Sequence, residues 1–170
     1  MKKILVISLF LAMNIILKRL LVIRLPFDKF SFNFVPVMLC AIILGTKYTV
    51  LLEALSDVIG CLLFPRGVFF VGYTISAMIV GVIHGSILHP HNGRVSHREL
   101  LPKLIVSTVL VGVIVSIGLN TMWRFYTTNV PIEVLLPMKI MKQMVMIPLR
   151  VTTIYYTVKL LENKLTKIMY

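Results

Sequence analysis

The chain has 170 residues, of which 58% are hydrophobic and only 14% charged, and its mean hydropathy is +0.95. That composition leaves too little polar surface for a water-soluble domain of this size and points to an integral membrane protein. A net charge of +12 would suggest nucleic acid in a soluble protein, but membrane proteins collect Lys and Arg in their cytoplasmic loops. At about 20 residues per bilayer-spanning helix, six spans use up the chain and exclude a soluble catalytic domain.

Six apolar segments are predicted, roughly over residues 4–23, 34–46, 48–64, 69–88, 101–122 and 134–160. No linker, repeat or low-complexity tract separates them, so residues 1–170 read as one domain. The first segment, in "MKKILVISLFLAMNIILKRLL", begins like a signal peptide. No small-residue cleavage site follows, however, and Lys18-Arg19 interrupts the apolar run, so a retained helix is expected. On it Ser8 and Ala12 form a small-residue strip suited to close helix approach. At 100° per residue, Arg19 falls farther along the same face.

The connection "RLPFDKFSFNFVP" alternates Phe30, Phe32 and Phe34, the pattern of an extended segment with one apolar face, such as a lid over a cavity. Interfacial anchoring of aromatics explains it equally well. The second segment is short and meets the third near Gly45-Thr46-Lys47. The third carries Glu53 and Asp57 one turn apart. A carboxylate there accepts paired hydrogen bonds from an amino-heterocycle such as a pterin, or else compensates a buried cation. Compensation is expected for Glu53, and both roles stay open for Asp57.

In the next connection, Phe64, Arg66, Phe69, Phe70 and Tyr73 crowd around a turn shaped by Pro65 and Gly67. Ala77, Gly81 and Gly85 line one face of the fourth segment, and Gly112 and Ser116 occur on the fifth, as close helix packing requires. Between these segments, "HPHNGRVSHRELLPK" holds His89, His91 and His97 without regular ligand spacing, so a solvated loop is expected in place of a metal site. The fifth segment ends in Asn120, Trp123 and Arg124. On the sixth, Lys139, Gln143, Met146 and Arg150 fall within about 60° of one another and make one polar stripe. Cys40 and Cys61 lie in apolar runs and read as buried free thiols.

An even number of spans places both termini on one side. With the N-terminus inside, nine loop and terminal cations fall on that side and four on the other, which supports cytoplasmic termini. Five cations remain within the spans or at their ends: Lys18, Arg19, Lys139, Lys142 and Arg150. Snorkelling to an interface suits Lys18 but not Lys139. Cations inside a membrane face protein, water or ligand, and Glu53 and Asp57 are too few to pair them all. Together with aromatics and amides from three outer loops, they suit a planar, acidic small molecule. The chain has no Walker A loop, H-E-x-x-H or G-x-S-x-G, so any ATP hydrolysis must come from another subunit. No catalytic residue, metal or cofactor is expected.

Four stretches, "LVISLFLAMNIILKRLL", "FSFNFVPVMLCAIILG", "EALSDVIGCLLFPRGVFFVGYTISAMIVG" and "LLPMKIMKQMVMIP", with Asn120-Thr121-Met122-Trp123, resemble the substrate-binding S components of energy-coupling-factor vitamin transporters, and within them the folate-specific branch. The resemblance implies an all-α six-helix membrane fold with cytoplasmic termini, in a bacterial cell membrane, binding its vitamin at the outer face. It also implies a membrane coupling subunit and two cytoplasmic ATPases as partners. Ser8 and Ala12 occupy the place of the family's Ala-xxx-Ala-like motif for the coupling subunit. Substrate contacts are implied at Arg19, Phe64, Phe69, Phe70, Tyr73, Asn120, Trp123 and Lys139, to which the pattern above adds Phe32, Asp57, Arg66 and Gln143. Position 139 tends to be arginine in similar proteins, and lysine lacks its bidentate fork. Riboflavin, pantothenate and thiamine are the competing vitamins, although outer-face cations argue against cationic thiamine. A small membrane enzyme would need converging acid, base or metal groups, and a purely structural bundle would not need these cations.

Overall fold

The computed structural model describes residues 2–25, 28–65, 70–90 and 97–169. Six helical rods follow the six apolar segments. The first, α1, is Lys2–Ile15 continued by a π-helical turn at Ile16–Leu20, after which β1 (Val22–Leu25) and β2 (Asp28–Ser31) pair as an antiparallel hairpin. Next come α2 (Phe34–Leu44), α3 (Thr46–Leu63) and α4 (Val71–Leu88). The fifth rod, α5, runs from His97–Leu110 through π-helical Val111–Leu119 into Asn120–Thr128, and α6 is Ile132–Met169.

The tightest joint is between α3 and α4, and glycine makes it possible. A Cβ on Gly81 would lie 2.8 Å from the Val50 Cα, and one on Gly85 would collide with the Thr46 backbone. The small-residue face expected on the fourth segment is therefore a packing face. Between α2 and α3 the chain reverses at Gly45, whose φ of +83° only glycine adopts without strain. The His89 ring covers this turn, with Nδ1 3.3 Å from the Ile42 carbonyl oxygen. His89 is exposed, as expected of a loop residue; His91 lies outside the described residues, as does the His97 side chain.

Met38, Ile42, Leu104, Met146 and Ile154 from α2, α5 and α6 interlock as a buried core. The outward faces are no less apolar: Leu5, Leu9, Leu62, Met141, Met144 and Val145 are each more than three-fifths exposed. So large an apolar exterior is a liability in water and is the ordinary exterior of a bundle in lipid. By length and composition, Val71–Leu88 and Glu99–Thr128 are each able to cross a bilayer. The first helix belongs to the bundle, since the Asn14 Nδ2 donates to Ser56 Oγ of α3 at 3.0 Å.

Two expectations about local geometry change. The extended segment stops at Ser31, so Phe32 lies in a turn and Phe34 opens α2; the alternation of phenylalanines does not make one strand face. More consequentially, Arg19 does not share a face with Ser8 and Ala12. Those two are exposed, whereas Arg19 is buried. Hydrogen bonds of the i→i+5 type at Ile16–Leu20 widen the turn, so each residue advances by less than 100° and Arg19 swings inward. The helix ends also extend beyond the apolar segments, to His97 on α5 and Met169 on α6, because helix formation continues into residues too polar for lipid.

Candidate functional site

A cavity of about 870 Å³ opens among the helix ends remote from the chain termini. One wall comes from the ends of α1 and α3, with Lys18, Arg19, Glu53, Asp57 and Cys61. Facing it, α6 supplies Lys139, Lys142, Met146 and Arg150, and α5 supplies Val111, Val115, Ser116, Asn120, Arg124, Thr127 and Thr128. Phe70, Tyr73, Ser76, Ala77, Val80 and His84 come from α4 and the residue before it, and Ser31, Asn33, Phe34 and Val37 complete the lining.

The two walls differ in charge. On the α1–α3 wall, the Lys18 Nζ lies 3.4 Å from Glu53 Oε2 and 3.2 Å from Asp57 Oδ1, and the Arg19 Nη2 lies 3.9 Å from the same Asp57 oxygen. Thr74 Oγ1 donates to Asp57 Oδ2 at 2.8 Å, and Arg19 Nη2 donates to Cys61 Sγ, also at 2.8 Å. Gly60 makes room for the guanidinium, since a Cβ there would sit 2.8 Å from Arg19 Nε. Two acids and two cations thus neutralise one another. Compensation holds for Glu53 as expected, and it holds for Asp57 too. Lys18 does not snorkel: the paired carboxylates draw its ammonium inward.

The opposite wall is cationic. The acids lining the cavity among the described residues are Glu53 and Asp57, both on α3, and the α5–α6 wall contributes the cations Arg124, Lys139, Lys142 and Arg150. Lys139 is 4% exposed and its Nζ donates to the Ser116 carbonyl at 3.2 Å. The Arg150 guanidinium lies over the Phe34 ring, 5.8 Å from its centroid.

Aromatic groups stand between the walls. Phe70 meets Tyr73 edge-on at 5.9 Å and packs on Trp123 at 5.5 Å. The Trp123 Nε1 donates to Ser76 Oγ at 3.0 Å, and Gly72 leaves space for both the Phe70 and Trp123 rings.

Of the residues singled out from sequence, Arg19, Asp57, Phe70, Tyr73, Asn120 and Lys139 line the cavity together. Trp123 stands behind Phe70 and Ser76. Gln143 is buried against α5, where a Cβ on Gly112 would lie 3.4 Å from its Oε1. Phe32 is 41% exposed and packs on Phe34 at 6.0 Å; neither it nor Phe64, at the end of α3, lines the cavity. Arg66 and Phe69 lie outside the described residues. Ser8 and Ala12 face outward at the far end of α1. Sequence reasoning missed His84, which lines the cavity while 2% exposed. Its signal was present, because an ionisable residue inside "MIVGVIHGSIL" is costly unless it serves a site.

A lipid-facing helical bundle around a cationic, aromatic cavity defines a membrane-embedded receptor for a small molecule. The chain matches the family described as "ECF transporter, substrate-specific component" over residues 2–160, and it belongs to that family. It is 30% identical over 153 residues to the folate transporter FolT of Clostridium novyi (strain NT), a match covering 90% of this chain and 86% of the relative. It is 29% identical over 162 residues to the folate transporter FolT of Leuconostoc mesenteroides subsp. mesenteroides, covering 92% and 83%. A crystal structure of FolT bound with folic acid superposes with a TM-score of 0.82 at 26% identity, covering 92% of each chain.

Proposed function

We propose that this substrate-specific component captures folate, or a reduced folate, at the outer face of a bacterial cytoplasmic membrane for ATP-dependent uptake. The observation that carries the reading is the charge of the cavity: among the described residues six cations and two acids line it, with the acids on one wall and most of the cations on the other, beside aromatic rings. Folate is flat, aromatic and dianionic, so its rings suit Phe70 and Tyr73 and its carboxylates suit the α5–α6 wall. The folate relatives and the folic-acid-bound structure support the same choice. A cationic vitamin such as thiamine would meet like charge here.

In this reading Lys139 and Lys142 hold the carboxylates, Asn120 supplies an amide nearby, and Trp123 and Gln143 brace the wall behind. Arg19 and Asp57 hold each other across the facing wall and shape it. The exposed Ser8–Ala12 strip receives a membrane coupling subunit, and two cytoplasmic ATPases drive transport. Both termini then face the cytoplasm, since the cavity opens at the other end.

Titration calorimetry of the purified protein, without ATP, against folic acid, thiamine and riboflavin tests the assignment. Heat with folic acid alone is the expected result. Heat with riboflavin alone would overturn the folate assignment and leave the fold and family untouched.

A further inference from the structure

Away from its rim the cavity is lined by a second set of polar groups, which form its floor. His84 lies three turns below Tyr73 on α4, and Arg150 lies three turns below Lys139 on α6, in each case about 16 Å along the helix. His84 is 2% exposed, and its Nδ1 has no hydrogen-bond partner. Arg150 lines the same cavity, with its guanidinium carbon over the Phe34 ring, 5.8 Å from the centroid. Val37, Val80, Val111 and Met146 make the surroundings apolar. A buried imidazole nitrogen left unsatisfied in such a place is costly, so an arriving ligand group that pairs with it gains that penalty back.

We propose that His84 and Arg150 form a floor subsite that reads the polar edge of the ligand's fused ring and selects an oxo over an amino substituent at ring position 4. The proposal rests on the folate reading above and orients the ligand, ring down and carboxylates toward Lys139 and Lys142. A guanidinium offers only donors. The pterin edge answers with two adjacent acceptors, the 4-oxo oxygen and N5, in the same spacing as O6 and N7 of guanine, which arginine grips bidentately. On the other flank of the 4-oxo group, the ring N3–H donates to the His84 Nδ1 lone pair. Replacing the oxo group by an amine reverses both signals: the substituent becomes a donor facing Arg150, and N3 loses its hydrogen. This is the discrimination by which arginine separates guanine from adenine.

Calorimetric affinities for folic acid, its 4-amino analogue, pteroate and p-aminobenzoylglutamate, measured on the wild type and on His84→Ala, Arg150→Met and Arg150→Lys, test the subsite. The wild type is expected to bind folic acid about ten- to a hundredfold more tightly than the 4-amino analogue. His84→Ala and Arg150→Met should bring the two ligands within about threefold of each other and weaken pteroate as much as folic acid. Arg150→Lys, which keeps the charge and loses the fork, should retain only part of the discrimination. Equal wild-type affinities for folic acid and its 4-amino analogue would overturn the proposal, and need no variant to fold. So would an Arg150→Met protein that loses p-aminobenzoylglutamate but keeps pteroate, for then the carboxylates lie at the floor. Absence of any folic acid binding by the wild type would instead overturn the folate reading itself.

Discussion

Replacing Lys139 by methionine separates two roles that a buried cation combines. In the folded protein Lys139 is 4% exposed and its ammonium donates a hydrogen bond to the Ser116 carbonyl at 3.2 Å. Losing a bond to a charged group costs about 1.5–3 kcal/mol. Keeping a lysine at membrane depth carries a penalty of about 2.5–3.5 kcal/mol, which methionine of similar length removes. The two oppose each other, so the melting temperature of Lys139→Met should fall only modestly. Ligand binding has no such cancellation. A carboxylate that loses its charge-assisted partner forfeits about 1.5–3 kcal/mol, which weakens folic acid about ten- to 150-fold. 6-Hydroxymethylpterin, which has no carboxylate, should bind with unchanged affinity. Calorimetry with both ligands and a thermal melt in detergent measure all three quantities. A variant that melts much lower and weakens both ligands alike would refute the argument, because Lys139 would then be holding α5 to α6 and not the ligand.

Ala12→Trp places a bulky ring on the exposed strip of α1; folic acid affinity should stay within about twofold, while ATP-dependent uptake by the reconstituted transporter and co-purification with the coupling subunit are lost. Lys18→Met leaves Glu53 and Asp57 facing each other across a part-buried site, and chemical denaturation should register a loss of about 3 kcal/mol, which Lys18→Met/Glu53→Gln largely restores. Gly85→Val drives a side chain into the Thr46 backbone, so α3 and α4 must part and the melting temperature should fall steeply, with Gly85→Ala intermediate.

The six rods were legible because a bilayer demands long apolar runs, and the short second segment is short in the structure too, at Phe34–Leu44. The polar stripe of α6 was legible as well: Lys139, Gln143 and Met146 are all buried, as a 100° periodicity requires. Periodicity fails where the winding changes. Nothing in "IILKRL" announces a π-turn, so Arg19 was assigned to the wrong face of α1. The hairpin of residues 22–31 was hidden for another reason, since a two-stranded pairing depends on backbone hydrogen bonds that side-chain patterns specify weakly. Phe64 and Phe32 show the limit of proximity in sequence. Phe32 stands between lining residues Ser31 and Asn33, and Phe64 comes three places after lining Cys61, yet at a helix end or in a turn the direction of a side chain is set by a few backbone angles. His84 stands alone in its apolar span with no motif around it, although that position itself carried the information.

The π-turn of α1 also acts as an angular offset between two halves of one rod. Below it, Ser8 and Ala12 look outward; above it, Lys18 and Arg19 look inward. Rewinding Ile16–Leu20 as ordinary α-helix with the residue count unchanged would carry Arg19 round toward the face of Ser8 and Ala12, with no change to any side chain that touches ligand or partner. The winding of this helix is therefore under a constraint separate from its composition. A substitution that restored regular α-helix here would put the two ends out of phase, whereas removing one residue as the turn rewinds would keep them nearly in phase.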